Sequence, residues 1–208
     1  MTKIKICGLS RTDDIEFCNR LKPDFIGFVF FKKSIRNISF NQAEKLKSML
    51  DDNIHSVGVF VNEDISFIEN LCRRNIIDMI QLHGNENDEY IMNLKQLTDK
   101  PVIKAVRVKS ADEIYKADEL PCDFLLLDTY IENIAGGSGK TFDWSVIPKT
   151  EKPFFLAGGL DSLNVSAAIK QCSPYAVDVS SSVEENGIKS ELKSAEFIKA
   201  VRNADAAI

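Results

Sequence analysis

The chain of 208 residues has few cysteines and only two histidines, and no two cysteines form a C-x-x-C pair. An odd number of cysteines without a nearby histidine cluster argues against both a disulfide framework and a zinc site. We therefore expect no metal site and five reduced thiols: Cys7, Cys18, Cys72, Cys122 and Cys172.

Long hydrophobic runs and basic clusters are also missing. The longest apolar run, Phe25 to Phe31, is too short to cross a bilayer, and residues 1–9 lack the apolar centre of a signal peptide. The net charge is −5, and the basic residues are interspersed with acids instead of forming a stripe. We therefore expect a cytoplasmic protein with no membrane or nucleic-acid partner.

Eight short apolar runs of β-type residues recur along the chain, with starts roughly 20 to 30 residues apart, the length of one βα unit. The runs are Ile4–Cys7, Phe25–Phe30, Ser56–Val61, Met79–Leu82, Val102–Val106, Phe124–Asp128, Phe154–Ala157 and Ala176–Val179. Helical apolar spacing fills the intervals, for example after a capping box at Ser39–Gln42. After the sixth run, a Gly-rich segment precedes only a short helix near Trp144–Ile147.

Continuous apolar strands that alternate with amphipathic helices predict a parallel sheet covered on its outer face. Eight such units fit one (β/α)8 TIM barrel, an α/β fold, that spans residues 1–208 as a single domain. A doubly wound open sheet is the alternative. It would show its phosphate loop near the first strand, whereas the Gly-rich signals of this chain come late.

The residues that end the strands are the first candidates for chemistry, because the carboxyl ends of barrel strands converge on one face. Cys7 ends the first strand and precedes Gly8, so it is either a reactive thiol at the strand mouth or one more small buried thiol. Asp128 ends the sixth strand, and burial in so apolar a strand favours the protonated carboxyl of a general acid. A helix or loop cap is the alternative for Asp128.

Two further polar residues follow predicted strands. Arg36 lies just after the second strand, where its fork of donors can hold a carboxylate bidentately, although a solvated surface arginine is the alternative. His83 follows the fourth strand, and it is either a substrate-binding residue or a hydrogen-bonded histidine of the barrel rim.

Two turns of small residues, Ala157–Leu160 and Val179–Ser182, follow strands seven and eight. Barrels commonly bind phosphate at this place with backbone N–H groups, so phosphate is favoured over two merely tight turns. The segment Gly136–Thr141 lacks the spacing of a P-loop, and we interpret it as a loop that closes over substrate. We predict five phosphate contacts in these segments: Gly137, Gly158, Gly159, Ser180 and Ser181.

A series of motifs runs in order from Lys5 to Glu184: K-I-C-G-L, G-F-V-F, K-S-I-R-N-I-S, V-G-V-F-V-N, I-Q-L-H-G, L-L-L-D-T, G-G-S-G-K-T-F-D-W, A-G-G-L and V-D-V-S-S-S-V-E. In these motifs the chain closely resembles the phosphoribosylanthranilate isomerase family of tryptophan biosynthesis. The resemblance implies that Cys7 is a general base and Asp128 a general acid. It also implies that Arg36 binds the carboxylate of anthranilate.

The resemblance implies two more roles and shows one departure. Asp178 is expected to orient the sugar, and the turns after strands seven and eight are expected to hold the phosphate. Ser182 stands where the family usually has glycine, which bears on the fine geometry of the phosphate turn.

The reaction implied by the resemblance is an Amadori rearrangement of a small phosphosugar-anthranilate substrate. It requires no metal, nicotinamide or flavin and implies no obligate protein partner. An unperturbed thiol has a pKa of about 8.5, so either the site or substrate binding has to lower the pKa of Cys7.

Two other functions are the alternatives. A related sugar-phosphate isomerase of histidine biosynthesis would carry an aspartate where this chain has Cys7. A non-catalytic phosphosugar-binding protein would be expected to have lost Cys7 or Asp128, and both are present.

Overall fold

A computed structural model of the chain describes residues 1–129 and 143–207. Eight parallel strands close into a barrel in chain order, with the last strand paired to the first. The strands are β1 (Lys3–Cys7), β2 (Phe25–Phe30), β3 (His55–Phe60), β4 (Met79–Leu82), β5 (Val102–Val108), β6 (Phe124–Thr129), β7 (Phe154–Leu156) and β8 (Ala176–Val179). The predicted barrel is confirmed, and each predicted strand end lies within two residues of the observed one.

Helices cover the outside of the barrel. Within the described ranges they are α1 (Thr12–Leu21), α2 (Phe40–Lys47), α3 (Ile65–Arg73), α4 (Asp88–Leu97), α5 (Ala111–Asp118), α6 (Val165–Cys172) and α7 (Glu191–Ala206). The short helix predicted after the sixth strand is a single 3₁₀ turn, Trp144–Val146.

At the start of α2, only one of the two hydrogen bonds of the predicted capping box is present. The Ser39 side chain accepts a hydrogen bond from the backbone N–H of Gln42 at 3.2 Å, as expected of an N-cap. The Gln42 side chain, however, donates to the carbonyl of Ser10 at 2.6 Å instead of returning to Ser39. The turn after β1 therefore offers Gln42 a tertiary acceptor, and the side chain joins α2 to this turn.

Two apolar layers form the core. The larger layer lies between the barrel and its helices, and a second cluster fills the barrel itself. The second cluster contains Phe25, Val57, Met79, Ile103, Leu126, Phe155, Ala157 and Ala176. Most of these residues lie in the first half of their strands, so the amino end of the barrel is packed and the open site is left at the carboxyl end.

A small hairpin that the sequence analysis did not predict follows β8. A 3₁₀ turn, Ser181–Val183, leads into β9 (Glu184–Glu185), which pairs antiparallel with β10 (Ile188–Lys189). The two connecting residues, Asn186 and Gly187, have φ values of 52° and 78°. Positive φ at both central positions is typical of a type I′ hairpin turn, and the Asn-Gly pair is its usual sequence signal.

Candidate active site

A cavity of about 530 Å³ opens at the carboxyl ends of the strands. Nine of the predicted site residues lie in its wall: Cys7, Arg36, His83, Asp128, Gly158, Gly159, Asp178, Ser180 and Ser181. The tenth, Gly137, lies outside the described residues. The expectation that Cys7, Arg36, Asp128 and the Gly158–Gly159 turn lie at one mouth agrees with this cavity, and the roles of all nine residues stay predictions.

Cys7 ends β1 and is only 8% exposed. Its partner in the neighbouring strand is Gly27, where an added Cβ would lie 2.6 Å from the Cys7 sulfur, so the absent side chain makes room for the thiol. Burial raises the pKa of the Cys7 thiol, although the ammonium groups of Lys5 and Lys189 act in the opposite direction. Of the two expected routes, the protein site alone does not lower this pKa, and lowering by substrate binding is the route that remains.

A buried ion pair inside the barrel joins β1, the strand of Cys7, to β8. The Lys5 ammonium is fully buried and donates to both carboxylate oxygens of Asp178, at 2.9 and 3.0 Å. Burial by itself lowers the pKa of Lys5, but Asp178 and Cys7 outweigh it and raise that pKa. A fixed positive charge therefore lies close to the thiol.

Asp128 lies next to His83, which β4 brings to the mouth. The Nε2 atom of His83 is 3.4 Å from Oδ2 of Asp128, and its Nδ1 is 2.9 Å from the amide nitrogen of Gln81. His83 is thus a cavity residue that lies between Gln81 and the candidate acid.

Arg36 is held side-on by a carboxylate. Its Nε and Nη2 atoms each donate to one oxygen of Glu184, both at 2.7 Å. Gly8 lets the aliphatic part of Arg36 pass, since a Cβ there would lie 2.4 Å from Cδ of the arginine. Glu184 thus occupies the side-on edge of the guanidinium. The end-on edge, formed by Nη1 and Nη2, is the edge that can face a ligand.

Lys189, at the end of the hairpin, donates three hydrogen bonds. Its ammonium lies 2.5 Å from Oε1 of Glu184, 2.9 Å from the carbonyl of Ser180 and 3.2 Å from the Ser180 hydroxyl. Burial would raise the pKa of Glu184, but hydrogen bonds from Arg36 and Lys189 outweigh it and hold that pKa below its usual range. Glu184 is therefore a carboxylate between two cations.

The two turns predicted to bind phosphate lie side by side at the mouth. Gly158 and Gly159 have φ values of 81° and 66°, which side chains with a Cβ rarely adopt. The Ser182 hydroxyl donates to the carbonyl of Leu160, so the departure from the family pattern ties one turn to the other. Within the described residues, the backbone N–H groups of Gly158, Gly159 and Ser181 have no hydrogen-bond acceptor.

Three charged residues of this region were missed by sequence reasoning: Lys5, Glu184 and Lys189. A charged residue in the inward register of an apolar strand was the available signal for Lys5. For Glu184 and Lys189 the available signal was the pair Asn186-Gly187, which predicts a hairpin that brings the chain back toward the mouth.

Two negative findings apply to residues 1–129 and 143–207. No group of three or more His, Cys, Asp or Glu side chains in these ranges has an arrangement that could hold a metal ion. None of the helices there has both the length and the hydrophobicity to cross a membrane.

Comparison with known proteins agrees with the motifs. Residues 4–200 match the family model of N-(5'phosphoribosyl)anthranilate (PRA) isomerase. The N-(5'-phosphoribosyl)anthranilate isomerase of Endomicrobium trichonymphae is 52% identical over 203 residues, which cover 98% of this chain and 100% of that protein.

Solved structures give the same result. The crystal structure of phosphoribosyl anthranilate isomerase from Thermotoga maritima superposes with a TM-score of 0.86 at 36% identity, covering 98% of this chain and 100% of that one. A second structure of this isomerase holds reduced 1-(o-carboxyphenylamino)-1-deoxyribulose 5-phosphate; its TM-score is 0.83 at 33% identity, with 98% and 100% coverage. These matches confirm the resemblance, and the chain belongs to the N-(5'-phosphoribosyl)anthranilate isomerase family, an enzyme family.

Proposed function

We propose that this chain catalyses the Amadori rearrangement of N-(5-phosphoribosyl)anthranilate to 1-(2-carboxyphenylamino)-1-deoxyribulose 5-phosphate in tryptophan biosynthesis. The observation that carries the proposal is one cavity that joins a thiol, a carboxyl group, an arginine and two turns with available backbone N–H groups. The ligand of one solved relative supports it, because that molecule has a carboxyphenyl group at one end and a phosphate at the other. The direct test is consumption of the fluorescent substrate by the purified chain, and a chain that consumes none would contradict the proposal.

In this mechanism, Asp128 is the general acid and Cys7 the general base. The Asp128 carboxyl group gives its proton to the ring oxygen of the ribose, the bond between this oxygen and C1 breaks, and the anthranilate nitrogen forms an iminium with C1. The Cys7 thiol then releases its proton to solvent, and the resulting thiolate removes the proton from C2, which gives an enolamine. The enolamine tautomerises to the ketone of the product, and Asp178 orients the sugar throughout.

The raised pKa of Cys7 fits this order of steps. The thiol stays protonated beside Lys5 until a further positive charge arrives, and ring opening supplies that charge as the iminium next to C2. We therefore assign the lowering of the Cys7 pKa to the opened substrate. The thiolate is then most populated when the proton to be removed is most acidic.

Replacing Arg36 by methionine is expected to raise KM by roughly tenfold or more with a smaller change in kcat, because a hydrogen bond to a charged group is lost in ground state and transition state alike. Steady-state kinetics measure the two constants separately. Arg20→Met is the matched control: Arg20 makes the same side-on pair with Glu191, at 3.1 and 2.8 Å, on the outer surface. An unchanged KM in Arg36→Met would assign Arg36 a structural role only.

Inorganic phosphate is expected to compete with the substrate, because the N–H groups of the turns after β7 and β8 bind anions even in a chain of negative net charge. Gly159→Val should weaken this competition, since a side chain would crowd the approach of phosphate to the backbone and the φ of 66° strains valine. The measurement is an inhibition titration at constant ionic strength.

Ser173→Val controls for backbone strain. Ser173 is exposed at the other end of α6 and has a φ of 47°, so valine is strained there as well, but away from the cavity. Weaker phosphate inhibition in Gly159→Val alone supports the assigned turns. Equal inhibition in wild type and both variants would place the phosphate elsewhere.

A further inference from the structure

Glu184 and Lys189 lie behind the cavity wall and touch residues that form it. The side chain of Glu184 is 7% exposed and that of Lys189 is 2% exposed, and neither lines the cavity. Arg36 and Ser180 do line it. The mechanism above gives the two hidden residues no role, although each contributes a buried charge.

The charges of this cluster do not cancel. Arg36 and Lys189 are two cations, and Glu184 is one carboxylate shared between them. The cluster therefore has one unit of positive charge in excess, at a largely buried place where charge interactions are strong. A ligand carboxylate at Arg36 would make the net charge of the cluster zero.

The contacts also fix geometry. Glu184 occupies the side-on edge of Arg36 through two bonds of 2.7 Å, so the guanidinium can turn only if both break. Lys189 holds Glu184 and also donates to Ser180. The Ser180 hydroxyl in turn donates to the carbonyl of Cys7 at 3.0 Å.

We propose that Glu184 and Lys189 are positioning residues that couple the carboxylate-binding arginine to the phosphate turn. Glu184 orients the end-on edge of Arg36 toward the substrate carboxylate. Lys189 holds Glu184 in place, offsets its charge so that Arg36 stays attractive to an anion, and fixes Ser180 in the phosphate turn. This inference rests on the role of Arg36 in the proposed function.

The test uses two inhibitors as separate probes, anthranilate for the arginine end and inorganic phosphate for the turn. Glu184→Gln should weaken anthranilate inhibition by about tenfold, because a neutral amide cannot accept both guanidinium bonds, and should leave phosphate inhibition unchanged. Lys189→Met should weaken inhibition by both probes. Lys189→Arg should recover the anthranilate affinity, because it returns the positive charge beside Glu184.

Lys47→Met is the matched control. Its ammonium makes an equally short ion pair, 2.5 Å to Asp78, at the amino end of the barrel, and both inhibition constants should stay at wild-type values. Thermal melts and circular dichroism report folding of every variant. If Lys189→Met does not fold, the decision rests on Glu184→Gln and Lys189→Arg.

The outcomes separate this inference from the function on which it rests. If Arg36→Met weakens anthranilate inhibition while Glu184→Gln and Lys189→Met leave it unchanged, only the positioning role is overturned. Stronger anthranilate inhibition in Glu184→Gln also overturns the positioning role, because Glu184 would then only offset the positive charge of Arg36 without orienting it. No effect of Arg36→Met overturns both the inference and the proposed role of Arg36.

Discussion

Cys7→Ser is expected to lower kcat by roughly 10²- to 10⁴-fold, the usual contribution of a general base, while the barrel folds as before. A serine hydroxyl is a far weaker acid than a thiol, so no oxyanion is available at neutral pH to remove the C2 proton. The change in volume is small, and Lys5 stays paired with Asp178 beside the new hydroxyl. KM should change little, because the arginine and the phosphate turns are intact.

Steady-state kinetics and a thermal melt on the same preparation test this result. Cys18→Ser is the matched control, since Cys18 is also a buried thiol but lies on α1, outside the cavity. It reports the cost of burying a hydroxyl in place of a thiol. Turnover near the wild-type rate in Cys7→Ser would mean that another group is the base.

Asp128→Asn should also remove most turnover, by roughly 10²- to 10⁴-fold, because an amide cannot transfer a proton to the ring oxygen. The side-chain oxygen of asparagine can still accept from Nε2 of His83, so the local geometry should survive. Loss of kcat with nearly constant phosphate inhibition is the expected pattern.

The residue that precedes β6 provides the control. Asp123 lies just before β6, at the opposite end of the barrel, and pairs with Lys95 at 2.6 Å. Asp123→Asn should lower the melting temperature without lowering kcat. If Asp128→Asn stays active while the barrel is intact, ring opening does not depend on this carboxyl group.

The position of the candidate acid and base could be predicted because it follows from local rules. Each strand is an apolar run bounded by polar residues, and side chains alternate between its faces. Once the eighth strand pairs with the first, the last inward residues of all strands must meet at one mouth. Cys7, Asp128 and Asp178 therefore meet there although they are distant in sequence.

The pairings among charged side chains could not be predicted in this way. Lys5 meets Asp178 because the two are register partners across the seam that closes the barrel, 173 residues apart in the chain. Glu184 reaches Arg36 across 148 residues because it begins the hairpin after β8, which lies beside Arg36. Such contacts depend on the strand register and on the path of the segment that connects two elements. The spacing of apolar residues predicts neither.

The sequence by itself determined the number of barrel strands, the mouth on which Cys7 and Asp128 lie, and the family of the chain, because apolar periodicity and ordered motifs are local. The tertiary structure alone decided which charges are paired. It showed that one edge of Arg36 is already occupied and that Ser182 ties the two turns together. It also showed that burial raises the pKa of Cys7, because solvation and charge at a buried atom depend on every strand that surrounds it.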